Sequence, residues 1–120
     1  MKRVSFSVAK YLKEAGYPQG ETDLQYVTKD VDTFKCGDII DSFYENWAAN
    51  NVIDAPFVMA VWLWLWREKG IQITRGIDFC CIWIPDEKGN YISKATIKKD
   101  DPEEAIEKAI EYLVENNLIE

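Results

Sequence analysis

The sequence predicts an α+β fold: a small antiparallel sheet of about three strands packed by two or three helices, in the order α-β-α-β-β-α. Three observations predict it. Residues 55–70, APFVMAVWLWLWREKG, are bracketed by helix punctuation; residues 71–98 alternate in runs around turns; and residues 101–114 carry a capped, amphipathic helix pattern. At 120 residues the chain is expected to form one domain, 1–120, able to bury roughly two thirds of the surface its unfolded form exposes.

The first element is a short helix. Ser5 or Ser7 offers a hydroxyl to a free N–H of an opening turn, Val8, Tyr11, Leu12 and Ala15 recur at helical spacing, and Gly16 closes the run ahead of Pro18. A strand follows over Asp23 to Thr28, with Leu24 and Tyr26 facing inward. Residues 29–54 read mainly as loop. Asp41 to Ala49 has the composition of one or two helical turns, and Val52-Ile53 leads into the next helix. The aspartates Asp30, Asp32, Asp38 and Asp41 do not form a calcium loop, because that motif needs glycine at position 6 and glutamate at 12, where this run has Gly37 at position 8 and Asp41 at 12.

The central helix is predicted between Pro56, sterically at home in a first turn, and Gly70, which tolerates the left-handed closing conformation. Val58, Val61, Trp62, Leu65 and Trp66 share a broad face, widened by Met59 and Leu63, while Trp64 falls between Arg67 and Glu68 on the other side. A strand competes, since Trp62, Trp64 and Trp66 alternate with leucines at period 2. The helix is preferred because Met59, Ala60 and Arg67-Glu68-Lys69-Gly70 are better helix than strand punctuation.

Beyond Gly70, Ile71 and Ile73 alternate with Gln72 and Thr74. Ile77 to Ile84 is apolar on both sets of alternating positions, which suits an interior strand covered on both faces. The turn formers of residues 85–90 then link it to Tyr91–Lys98 as an antiparallel hairpin. In the final helix Asp101 is the expected N-cap, Pro102 fits the first position, and Glu104 stands where a capping box places its acid. Ala105, Ile106, Ala109, Ile110, Leu113 and Val114 form the face expected to pack on the sheet.

Composition narrows the class. An apolar content of 48% with 13% aromatics lies above the disordered range, and no stretch approaches the roughly 20 apolar residues that span a bilayer. Lys10, Lys13 and Glu14 interrupt the N-terminal run, so no signal peptide is read there. Cys36, Cys80 and Cys81 are odd in number and lack C-x-x-C spacing; they are expected as reduced thiols in a cytoplasm. The net charge of −7 is carried wholly by residues 100–120, where eight acids meet the single base Lys108. No strongly basic half remains to bind nucleic acid directly.

Three stretches carry a family resemblance. VAKYLKEAGYPQG near the start, IDAPFVMAVWLWLWREKGIQI with its Asp-Ala-Pro and tryptophan-bearing helix, and DPEEAIEKAIEYLVENNLIE at the end resemble small uncharacterised proteins of phages and mobile elements of gut bacteria, including the phage αβα-sandwich domain. The resemblance covers roughly two thirds of the chain. It implies a compact α/β domain in a phage or bacterial cytoplasm, and it brings no catalytic residues with it.

Signatures of catalysis are scarce. The chain has no histidine, so the usual triads and histidine-ligated zinc are excluded, and neither phosphate-binding glycine motif occurs. No catalytic residue, cofactor or metal is assigned. The leading expectation is a non-enzymatic interaction domain that self-associates or meets one protein partner. Its candidate contacts are Trp62, Trp64 and Trp66, the bland alternative being that all three are core, and the acidic residues Glu103, Glu107 and Glu111 of the last helix. Two alternatives stand beside it: a phage-encoded acidic inhibitor of a host nucleic-acid-binding protein, and a small enzyme or ligand-binding fold with a pocket near Cys81 or Trp83.

Overall fold

The computed structural model describes residues 1–30, 33–41 and 51–119. Among them lie three helices and two three-stranded antiparallel sheets, an α+β fold. The chain divides into two compact units, one of Arg3–Pro56 and the other of Phe57–Glu120 together with Met1–Lys2.

In Arg3–Pro56, Ser5 caps α1 (Phe6–Glu14) by accepting the Val8 N–H at 3.4 Å. The helix buries Val8, Ala9 and Leu12. Three short strands, β1 (Leu24–Val27), β2 (Ile39–Asp41) and β3 (Val52–Asp54), form a sheet in the order β2-β1-β3. Its register pairs Gln25 with Ile40 on one side and with Asp54 on the other. Opposed residues of an antiparallel ladder share a face. Tyr26 and Ile53 therefore share one face, where the Tyr26 ring lies 5.6 Å from that of Phe6 in α1. Val27 and Ile40 share the other and pack with Phe34 and Val52. The sequence pattern placed only Leu24 and Tyr26 inward; Val27 is fully buried as well, on the second face, where Ile40, Phe34 and Val52 pack with it.

Val52-Ile53 was expected as a lead into the helix and is instead a strand. Its backbone completes the free side of β1, which offsets the cost of ordering so short a segment. The helical turns expected over Asp41 to Ala49 fall almost wholly outside the described residues; Asp41 itself ends β2.

The polar chemistry of this unit gathers on Asp54, which is 1% exposed. Its carboxylate accepts the Glu21 N–H at 3.0 Å and the Gln25 side-chain amide at 3.2 Å, and its own N–H donates to Gln19 at 2.9 Å. Arg3 adds a second tie, donating to the Ala55 carbonyl and to Asp23, each at 2.8 Å. A buried carboxylate without such donors is expensive, so Asp54 holds the 17–22 turn against the sheet.

In Phe57–Glu120, the tryptophan-rich stretch is helical: α2 runs Val58–Lys69 and closes on Gly70 at φ 67°. Pro56, expected from sequence in the first turn, instead precedes the helix. Phe57 occupies the cap position, and the Val58 N–H of the first turn, which has no partner within the helix, donates to the Lys2 carbonyl at 2.9 Å. Strands β4 (Gln72–Arg75), β5 (Phe79–Pro85) and β6 (Tyr91–Lys98) follow as an antiparallel sheet in sequence order. A bulge between Ile82 and Trp83 shifts the β5–β6 register.

The last helix, α3 (Pro102–Glu115), packs on this sheet with Ala105, Ile106, Ala109, Ile110 and Leu113 buried. Opposite them, Ile73, Cys80 and Ile82 are sealed from solvent. Asp101 caps α3 through the Glu103 N–H at 3.1 Å. The capping box itself is not closed, because Glu104 turns to Lys99 at 3.7 Å. One further expectation is corrected: β5 is central in its sheet but covered on one face. Phe79 is exposed and Cys81 and Trp83 are half-buried, because α3 occupies the face of Cys80 and Ile82 alone.

Candidate functional site

The site grows out of how α2 divides its apolar surface. Val58, Val61 and Leu65, spaced at i, i+3 and i+7, are fully buried. At 100° per residue, Trp62, Trp66 and Leu63 then step progressively away from the core along one flank, while Trp64 leaves along the other. Exposure follows that geometry. Trp62 is half-buried, whereas Trp66 and Leu63 each keep 47% of their surface in water.

The strand beside this flank completes the site. β4 is an edge strand, and the Trp62 indole N–H donates to its Ile73 carbonyl at 3.0 Å. The Arg75 guanidinium lies 5.3 Å from the centre of the Trp62 ring, within cation–π range. Between helix and strand runs a cleft of about 190 Å³ lined by Trp62, Leu63, Trp66, Gln72, Ile73 and Thr74. Beyond it the Trp83 indole donates to the Thr74 hydroxyl at 3.0 Å, so the open face of the sheet continues the aromatic surface.

Two properties of the cleft decide what it can do. Drug-sized ligands and cofactors occupy roughly 300–1,000 Å³, and this volume falls below that range, at the scale of one protruding side chain. Its six lining residues include no titratable group, so it offers surface and a few polar contacts but no means of moving a proton. The described residues hold no group of three or more metal-ligating side chains, and Asp54 is the only charged residue buried among them.

The residues singled out from sequence do not all meet here. Trp62 and Trp66 line the cleft. Trp64, read from sequence as the ring displayed on the polar side, is half-buried on the opposite flank with the Lys69 ammonium 5.4 Å from its ring centre. Cys81 and Trp83, beside which a pocket was expected, do not line the cleft, but they are the cross-strand partners of two residues that do, Thr74 and Gln72. Leu63, Gln72, Ile73 and Thr74 were not identified as site residues. Leu63, expected to widen the face of Val58, Val61 and Leu65, stands opposite that stripe instead, as 100° per residue requires.

Glu103, Glu107 and Glu111 lie one turn apart on α3, and none is fully exposed. Glu107 meets Lys2 at 3.5 Å, and Glu111 meets Lys108 at 3.1 Å. Hydrogen bonding to Glu111 raises the Lys108 pKa, so the lysine stays charged and offsets part of the acidic stripe.

No family model, curated protein or solved structure matches the chain.

Proposed function

We propose that the chain is a non-enzymatic, cytoplasmic docking domain of phage or bacterial type that associates with a second copy of itself through the α2–β4 flank. The observation that carries this reading is the adjacency of knob and hole: Trp66 and Leu63, each 47% exposed, stand on the rim of an apolar cleft scaled to one side chain. A surface holding both is self-complementary. A two-fold axis lets each copy present its Trp66 to the other's cleft, the isologous arrangement that commonly closes homodimers. Free thiols at Cys36, Cys80 and Cys81 fit a reducing compartment.

Sedimentation and light scattering of the wild type and of Trp66→Glu over low to high micromolar concentrations test the reading. Buried tryptophan anchors at interfaces are worth about 2 kcal/mol or more, so the variant should weaken association by roughly 30-fold. A wild type that remains monomeric at high micromolar concentration overturns it.

A further inference from the structure

A second opening lies where both helices of Phe57–Glu120 end. Glu68 and Lys69 line it from the last turn of α2, Asn117 and Leu118 from just beyond α3, and its volume is about 530 Å³. That falls within the roughly 300–1,000 Å³ of small-molecule sites. Two backbone features build it. Asn117 takes the left-handed conformation, φ 52°, and the N–H groups of Asn117 and Leu118 donate back to Val114 and Leu113 at 3.2 and 2.9 Å. This helix-closing turn brings Leu118 into an apolar lining shared with Ile71, Ile84 and Pro85. In β6 the pairing passes from Ile82–Ala95 to Trp83–Ser93 and leaves Lys94 out of the ladder. A bulge re-aims a side chain, and Lys94 lines the pocket with Ile84 while Lys98 stands opposite Phe79 on the open face of the sheet.

The charges around this lining are of both signs. The C-terminal end of a helix carries roughly half a negative charge, so two such ends together with Glu68 favour a cation. Lys94 favours an anion. Neither Glu68 nor Lys94 has a hydrogen-bond or ion-pair partner among the described residues, although both line the same pocket. Lys69, by contrast, holds its ammonium 5.4 Å from the centre of the Trp64 ring.

We propose that this pocket binds a small zwitterion with an apolar body, the chemistry of a free aliphatic amino acid or a short aliphatic peptide. The ligand ammonium meets Glu68 and the helix ends, its carboxylate meets Lys94 and the Asn117 side-chain amide, and its body covers Ile84 and Leu118. The site shares no residue with the α2–β4 cleft and does not depend on self-association.

The test is an NMR titration of the full chain with leucine and with the dipeptide Leu-Leu, the two sources of that chemistry. Saturable shifts are expected at the Ile71, Lys94 and Leu118 amides, with the Trp62 indole unmoved. Saturation by leucine assigns the amino acid, and saturation by the dipeptide alone assigns the peptide. N-acetylation and C-terminal amidation of the ligand each remove one charge, and each should weaken binding on the order of fivefold, as one exposed ion pair implies. Glycine or Gly-Gly, which lack the apolar body, should not bind. Glu68→Gln should erase the penalty of N-acetylation and keep that of amidation, and Lys94→Gln should do the reverse. Both side chains are exposed, so neither variant endangers folding. Absence of saturation by either zwitterion at millimolar concentration, equal binding of the glycine forms, shifts confined to the α2–β4 cleft, or penalties that ignore the two variants overturns the proposal and leaves Glu68 and Lys94 as solvated surface charges.

Discussion

The indole N–H of Trp62 ends on the carbonyl oxygen of Ile73, 3.0 Å away, so a helix side chain satisfies a hydrogen-bonding group that an edge strand otherwise gives to water. The same ring forms one wall of the cleft and carries Arg75 on its face. Structure and candidate function thus share a residue, and the two roles are separable by substitution.

Trp62→Phe keeps an aromatic wall and removes the donor. A net hydrogen bond is worth about 0.5–1.5 kcal/mol, and the variant should be destabilised by that order in urea unfolding. A variant as stable as wild type would show that water replaces the indole at Ile73 without cost.

Asp54 anchors Arg3–Pro56 by a different logic. Asp54→Ala strands the Glu21 N–H and the Gln25 amide, and an unsatisfied buried polar group costs roughly 1–3 kcal/mol. Asp54→Asn should lose less, because its remaining carbonyl accepts one of the two donors. Hydrogen exchange at Glu21 is the direct readout: it should quicken most in the alanine variant.

The Arg3–Asp23 pair predicts an acid-side dependence. Hydrogen bonding to Arg3, helped by its charge, holds the Asp23 carboxyl below its ordinary value of 3.8. Folding therefore favours the ionised form. The contribution is fully present above the unfolded pKa and disappears as pH falls through the lower folded value. Urea midpoints of wild type and Asp23→Asn should differ at neutral pH and converge at the acid end. Since the Asp23 side chain is 75% exposed, the difference should be small and should shrink further in salt.

Helix ends were the most legible features, because caps are local chemistry: Ser5, Gly70 and Asp101 each do in the structure what their residue types imply. The β5–β6 hairpin was legible for a similar reason, its turn and its alternation being contiguous. Strands β2 and β3 were not. Three residues are too few to show a period, and Ile40 and Asp54 become strand residues only by pairing with Gln25 from a distance in sequence. The cleft was half legible. Periodicity pointed to excess aromatic surface on α2, but which flank carries it depends on the direction of the core, fixed by Val58, Val61 and Leu65, and on β4 arriving alongside. A single helix sequence contains neither fact.

The cysteines supply a test of packing that needs no substitution. Cys36 is exposed, Cys81 is half-buried with its sulfur 3.6 Å from the Thr96 hydroxyl, and Cys80 is wholly buried beneath α3. Burial also pushes the Cys80 thiol pKa up, leaving less of the reactive thiolate. Iodoacetamide labelling read by mass spectrometry should therefore modify Cys36 first, Cys81 next and Cys80 last. If reaching Cys80 requires the sheet to part from α3, its rate is scaled by the open fraction, commonly about 10⁻³ or below. Its labelling should then follow global unfolding as denaturant is added, while that of Cys36 barely changes. Equal native rates at Cys36 and Cys80 would contradict the packing of α3 on β5, and with it the one-sided burial that leaves the opposite face of the sheet beside the cleft.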